Sequence, residues 1–284
     1  MTKKLVLGAV AYDPKVVTIW DGFVRHFEEN GLPFDYVLFT NYEKQVEAHF
    51  DGLVDVAWNS PLAWIESVAL AARLGRTATA IAMRDTDRDL TTAIVTRADG
   101  PQTLQDLEGL RVGFGAADSP QATLIPRGFL LGQGVSTATL ASSVMFDVLV
   151  GKHGDHIGGE RDAAKALMRR EVDVACVLDA NVALFAAEGT WPSGAIRVLA
   201  RTPPYDHCNF TVLDGAPADL VGRFRELLLA MRYDDPAVRP LLDMEGLKAW
   251  VPGRTEGYSL LEAAVGRFGS IEGWLAATSA SRAP

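Results

Sequence analysis

Apolar positions recur along the chain with two periods, and the two alternate. Leu5–Ala11 is an apolar run of strand length. Behind it Val16, Trp20, Phe23, Val24 and Phe27 fall on one face of a helix that Gly31 ends. Phe34–Phe39 predicts a second strand, Tyr42–Phe50 a helix, Val54–Trp58 a third strand, Leu62–Leu74 a helix and Thr79–Met83 a fourth strand. The middle of the chain repeats the theme. Leu90–Thr96 is extended, Gly100-Pro101 marks a turn, and strands follow at Arg111–Phe114, Val144–Phe146 and Val172–Val177. Helices are predicted at Thr123–Leu131, Asp162–Arg169 and Ala180–Ala187. Ile196–Leu199 starts the return, and Leu220, Phe224, Leu227, Leu228 and Met231 form the apolar face of a C-terminal helix. This βαβα order implies α/β architecture with mostly parallel sheets. Two extended crossings, near Asp89–Arg97 and Val198–Thr202, divide the chain into two lobes. One is discontinuous, residues 1–88 and 202–284; the other is residues 89–201. Two crossings imply a hinge with a cleft between the lobes.

Composition narrows the function classes. The 284 residues are 48% hydrophobic and 22% charged, enough apolar material for two cores. The net charge is −9, and no basic stripe offsets it, which argues against a nucleic-acid partner. A cleft in an acidic protein can still be locally positive. No apolar run reaches the length of a membrane span, so no membrane insertion is expected. The stretch after Met1-Thr2-Lys3-Lys4 is too short for a signal-peptide core and lacks a small-residue cleavage site. The sequence as it stands reads as cytoplasmic, and as periplasmic if a leader has been removed. Cys176 and Cys208 have no metal-site spacing and read as buried thiols. Gly113-Phe114-Gly115 lacks the third glycine of a dinucleotide fingerprint, and neither a phosphate-binding P-loop nor a nucleophile elbow is present. No cofactor is expected.

The richest chemistry lies in Val112–Arg127. An apolar strand runs into small and hydroxyl residues and then into a helix, with Pro126 suited to its first turn. Freed N–H groups at such a start can hold an anion, with Ser119, Gln121 and Thr123 around it. A capped turn that binds nothing has the same signature. Two further clusters stand out. Lys152–Arg161 holds His153, Asp155, His156 and Glu160, which suits a polar ligand-contacting loop, a solvated turn or a zinc or iron site. Pro203–Asn209 places Tyr205, Asp206 and His207 beside the second crossing, for ligand contact or packing.

Several stretches together resemble the phosphate/phosphite/phosphonate solute-binding proteins. Val54-Asp55-Val56-Ala57-Trp58-Asn59-Ser60-Pro61-Leu62 looks like a family signature, as does Asp106-Leu107-Glu108-Gly109-Leu110-Arg111-Val112-Gly113-Phe114-Gly115. Ser119–Pro126 is similar to the family's anion loop, Gly159–Ala164 to its G-S-H-D-A-A stretch, and Glu171–Ala175 to its G-x-V-D-A-A stretch. The resemblance spans about residues 5–205. It implies the two-lobed type II periplasmic-binding-protein fold. By the same resemblance Tyr12, Trp58, Asn59 and Ser60 border the ligand, and Ser119, Gln121, Ala122 and Thr123 grip its oxygens. Gln121 and Ala122 stand where the family has hydroxyl residues. Arg161 replaces a histidine and brings a fixed charge that suits a carboxylate as well as a tetrahedral oxyanion. Asp179 takes the place of an acid expected after the Val172–Val177 strand, or caps a helix. His156, Tyr205 and His207 complete the expected ligand shell.

The function expected is capture of a small anion, phosphonate- or phosphate-like or a carboxylate, with an ABC-transporter permease as partner if the chain is exported. Two alternatives remain. One is a cytoplasmic enzyme on the same fold, a decarboxylase or dehydratase of a small carboxylate, with Asp155, His156, Asp206 or His207 as acid or base. The other is a ligand sensor.

Overall fold

In the computed structural model the described residues are 3–11, 14–135, 139–146, 157–267, 269 and 273. Two compact units divide the chain. The first comprises Met1–Arg88 and Asp206–Gly257, the second Asp89–Tyr205 and Tyr258–Pro284. The chain therefore passes between units three times, not the expected two. The third passage arises because helix α9 (Ser259–Gly266) packs on α4 (Ile125–Gly132) of the second unit. The sequence pattern assigns residues 202–284 to the first lobe, whereas Tyr258–Pro284 belongs to the second unit.

The first unit is built on a six-stranded sheet. Its strands are β1 (Leu5–Val10), β2 (Phe34–Phe39), β3 (Val56–Asn59), β4 (Ala78–Arg84), β10 (Asn209–Leu213) and β11 (Trp250–Pro252), in the order β11-β4-β10-β3-β1-β2. β1 is parallel to β2 and β3, whereas β10 runs antiparallel between β3 and β4. The sheet is thus mixed. Helices α1 (Lys15–Glu29), α2 (Tyr42–Phe50), α3 (Pro61–Arg73), α7 (Ala218–Ala230) and α8 (Arg239–Glu245) accompany it. The expected apolar face of α1 is buried through Val16, Trp20, Phe23 and Phe27. These join Phe34, Trp58, Phe210, Phe224 and Trp250 in an aromatic core. Trp58 and Phe210 have ring centroids 4.5 Å apart, and Phe34 stacks on Phe224 at 5.7 Å. Truncating one such ring to alanine typically costs about 3–5 kcal/mol.

The second unit has five strands, β5 (Thr92–Arg97), β6 (Arg111–Phe114), β7 (Ser142–Met145), β8 (Val174–Leu178) and β9 (Ile196–Arg201), in the order β7-β6-β8-β5-β9. β6 is parallel to β7 and β8, and β5 is antiparallel to β8 and β9. Besides α4 and α9 it carries α5 (Ile157–Met168) and α6 (Asp179–Ala187). Residues of β5 and β8 alternate between two buried clusters. Ala93, Val95, Ala175 and Val177 meet Leu167 and Phe185, while Ile94, Val174 and Cys176 meet Phe114 and Leu130. A central strand buried on both faces reads as a continuous apolar run, which is why Val172–Val177 stands out in the sequence.

Candidate functional site

Parallel strands carry their ligand sites at their C-terminal ends, where the following helices begin. In the second unit β6 and β8 are neighbours. β6 leads through a π-helical turn (Pro120–Leu124) into α4, and β8 leads directly into α6. The start of α5 lies against the same edge. A Cβ on Gly159 would collide with the Phe146 carbonyl and stand 3.2 Å from the Ala116 nitrogen. Three helix starts thus gather around residues 115–123, and helix starts attract anions.

The turn itself is tightly wound. The Ser119 hydroxyl oxygen accepts from the Ala122 N–H at 3.2 Å, and the Ser119 carbonyl accepts from Thr123 N–H and Leu124 N–H at 3.1 and 3.0 Å. Two expected contacts change. The Thr123 hydroxyl donates to the Ala116 carbonyl at 2.7 Å, so its only proton is committed inward. Ala122 is fully buried, and a Cβ on Gly115 would stand 2.6 Å from the Ala122 methyl. Ser119 uses its oxygen as acceptor here, which leaves its proton to donate. Gln121 keeps a little exposure, at 8%. Pro126 occupies the first turn of α4, where its missing N–H costs nothing.

Thr92, which carries no signal in the sequence, holds this turn together with Tyr205, which was expected at the ligand. Thr92, on β5, donates its hydroxyl to the Gln121 carbonyl at 2.5 Å, and the Tyr205 hydroxyl meets it at 2.7 Å. With Thr92's proton so used, Tyr205 is the donor of the second bond. Burial pushes the Tyr205 phenol well above its ordinary pKa and keeps that proton in place. Glu160, in the first turn of α5, is buried and accepts from Leu178 N–H at 2.7 Å and Asn181 Nδ2 at 2.8 Å. It ties the starts of α5 and α6 together. A lone acid before Arg161-Asp162-Ala163-Ala164 gave no signal of that bond.

The charged residues expected at the ligand have partners. Arg161 forks onto Glu188, Nε to Oε1 at 2.6 Å and Nη2 to Oε2 at 3.1 Å, with its guanidinium over Phe185. Asp179 opens α6 without capping it and pairs with Arg201 at 2.8 Å. Asp179 and Arg201 border a cavity of about 450 Å³ with Val182, Trp191 and Ile196.

In the first unit, Trp58 lies in the aromatic core under the Arg84 guanidinium, 5.2 Å from its ring. Asn59 is buried. It accepts from Gln45 Nε2 at 2.9 Å and donates to Ser67 and Thr211. Ser60 caps α3, accepting from Ala63 N–H at 3.2 Å. These three therefore have structural work within the unit. Asp206 is buried and takes both arms of Arg254 at 2.6 Å. Tyr12, His153, Asp155 and His156 lie outside the described residues.

His207 belongs to a buried cluster. Its Nδ1 is 3.1 Å from Cys208 Sγ and 3.4 Å from Asp87 Oδ1, and the three groups lie within 4.8 Å of one another. Arg84 grips Asp87 through Nε and Nη2 and reaches Glu245. Burial opposes the imidazolium, but the Cys208 sulfur and the Asp87 carboxylate outweigh it, and the His207 pKa rises to about 10. Burial likewise opposes the Asp87 carboxylate, yet Arg84 and His207 hold it down at about 2. Cys176 and Cys208 are both free and buried. Burial pushes Cys176 far up, so it is inert.

Among the described residues no helix is long and apolar enough to cross a membrane. No curated protein matches the sequence. Several solved structures share the fold. PhnD1 from Prochlorococcus marinus, in complex with methylphosphonate, is 17% identical with a TM-score of 0.68, covering 95% of this chain and 99% of that one. XAC2383 from Xanthomonas citri, bound to ATP, is 20% identical with a TM-score of 0.68, covering 94% and 98%. The periplasmic aliphatic sulphonate binding protein SsuA from Escherichia coli is 16% identical with a TM-score of 0.56, covering 95% and 87%. At these identities the likeness establishes the fold. The family described as "ABC transporter, phosphonate, periplasmic substrate-binding protein" matches residues 9–258. The chain therefore belongs to the phosphonate substrate-binding family of ABC transporters, and is a solute-binding protein.

Proposed function

We propose that the solute is a small tetrahedral oxyanion, phosphonate- or sulfonate-like, held at the edge formed by β6 and β8. The observation that carries this reading is the gathering of three helix starts around the Ser119–Thr123 turn. Such an edge supplies partial positive charge from its helix dipoles. That matters because Arg161 is matched by Glu188 and Asp179 by Arg201. The recognising groups are the Ser119 hydroxyl and the Gln121 side-chain amide, since the turn's own N–H groups at Ala122, Thr123 and Leu124 are taken up within it. PhnD1 and the Escherichia coli sulphonate binder carry oxyanion solutes on this fold, which supports the solute class. Delivery to an ABC-transporter permease in the periplasm belongs to the same proposal, as does hinge closure on the solute.

A thermal-shift screen tests the class. Methylphosphonate, phosphate, an alkanesulfonate and an aromatic carboxylate are compared at equal concentration. A ligand present at 100 times its dissociation constant stabilises by about 2.7 kcal/mol. Stabilisation by a phosphonate or sulfonate, lost in Ser119→Ala, is the expected result. Stabilisation by the carboxylate alone refutes the oxyanion reading. Hinge closure is read by small-angle X-ray scattering, as a decrease in radius of gyration when the solute is added.

A further inference from the structure

We propose that Asp87, His207 and Cys208 of the first unit form a binding site for a thiophilic divalent metal ion, with zinc as its natural occupant. The proposal is independent of the solute site. It rests on the geometry of three different donors. His207 Nδ1 stands 3.1 Å from Cys208 Sγ and 3.4 Å from Asp87 Oδ1, and all three donor atoms lie within 4.8 Å of one another. Ligand atoms around tetrahedral zinc are separated by about 3.2–3.6 Å, given bonds of about 2.0–2.3 Å. The two separations from His207 already stand near that range, and the third, within 4.8 Å, shortens as the set closes on an ion.

The backbone holds it in place. His207 N–H donates to the Asp87 carbonyl at 2.8 Å, which ties the short turn Asp85–Asp87 to the segment entering β10. Arg84 orients Asp87 from the other side, with Nε on Oδ2 and Nη2 on Oδ1. A carboxylate oxygen has two lone pairs, so Oδ1 can accept from Arg84 and still bind an ion. Such outer partners fix metal ligands in known sites. The side chain of Asp87 is nearly buried, while that of His207 is 20% exposed and offers a path in.

The charges close as well. A divalent ion is matched by the Asp87 carboxylate and a Cys208 thiolate, with His207 as a neutral ligand. Arg84 is then left to Glu245, whose Oε2 lies 3.4 Å from Nη1. On binding, one ion enters, and the Cys208 thiol proton and the His207 Nδ1 proton leave to solvent. Thiolate and imidazole select zinc over magnesium or calcium. Three protein ligands leave a fourth position open to water.

Cobalt(II) alone, titrated into the metal-free protein, is the test. A thiolate-to-cobalt charge-transfer band in the near ultraviolet at one ion per chain is expected, displaced by one equivalent of zinc. The band should survive Cys176→Ser and vanish in Cys208→Ser, and His207→Ala should weaken cobalt affinity at least tenfold. No band, or a band that persists in Cys208→Ser, overturns the proposal. If Cys208→Ser does not fold, alkylation of the native protein decides. Zinc should slow iodoacetamide labelling of Cys208 at least fivefold, and an unchanged rate overturns the proposal.

Discussion

At the residue scale, the Ser119 turn separates two roles that look alike in the sequence. Ser119 and Thr123 are both hydroxyl residues at a helix start, but only Thr123 sends its proton inward, to the Ala116 carbonyl. Thr123→Val should lower stability by about 1 kcal/mol and leave solute affinity within twofold. Ser119→Ala should cost a similar amount as a lost cap and also weaken solute binding at least tenfold. Isothermal calorimetry and chemical denaturation on the two variants measure both quantities. The helix start, Pro126 and the hydroxyls were legible because each is a local signal. Which hydroxyl pointed inward was not, because that depends on Ala116 four residues before the turn. A second prediction concerns His49, which is 3% exposed in α2. Burial lowers its pKa from 6.5 to about 4; the Asp55 backbone opposes this and the Arg76 guanidinium adds to it. The fold thus disfavours the charged imidazole relative to the unfolded chain. Its contribution is nil above pH 6.5, and stability falls as pH drops from 6.5 to about 4, then levels. The loss is on the order of 3 kcal/mol. His49→Phe should remove this part of the acid sensitivity, seen as a smaller drop in melting temperature between pH 7 and pH 4. An equal drop in both proteins would exclude His49 as its source.

At the element scale, α5 begins where three backbones meet. Gly159 faces the Phe146 carbonyl and the Ala116 nitrogen, and any side chain there must displace main chain rather than a flexible tip. Gly159→Ala is therefore expected to destabilise the second unit by about 1–3 kcal/mol. It should also weaken solute binding, because it pushes the start of α5 from the edge of β6. Gly158 has open space around its added Cβ, so Gly158→Ala is the control, and hydrogen exchange in residues 111–124 is the readout. The same scale shows where sequence reading stopped. The strands with continuous apolar runs, such as β1 and β8, were visible. β10 was not, although it is the central antiparallel strand of the first sheet. It carries Asn209 and Thr211, which are buried polar residues and break the apolar pattern. Their cost is offset by the network of Asn59, Gln45 and Ser67, drawn from residues about 150 positions away. Such a strand becomes readable only once its partners are known.

At the scale of the whole molecule, the informative feature is the third passage of the chain. The motifs of the sequence end near residue 205, and beyond the helix face Leu220–Met231 nothing in the C-terminal stretch announces a partner. Yet α9 returns to the second unit and packs on α4, where Ala264 meets Gly128, and on the Ser119 turn. A Cβ on Gly128 would stand 3.3 Å from the Ala264 methyl, so the two helices approach through their smallest residues. This contact was invisible in the sequence because neither a glycine in α4 nor an alanine in α9 announces a partner. It makes α9 a brace for the turn that is proposed to hold the solute. Ala264→Leu should drive the helices apart, with overpacking of about 1–3 kcal/mol. The lesion lies in the second unit, whereas the aromatic core of the first is untouched. Two readouts follow from that separation. Hydrogen exchange in β1 and β2 of the first unit should be nearly unchanged. Solute affinity should fall several-fold, because the Ser119 turn loses its support. If affinity is unchanged while α9 is demonstrably displaced, by faster hydrogen exchange in residues 259–266, then the brace has no part in binding and the third passage serves stability alone.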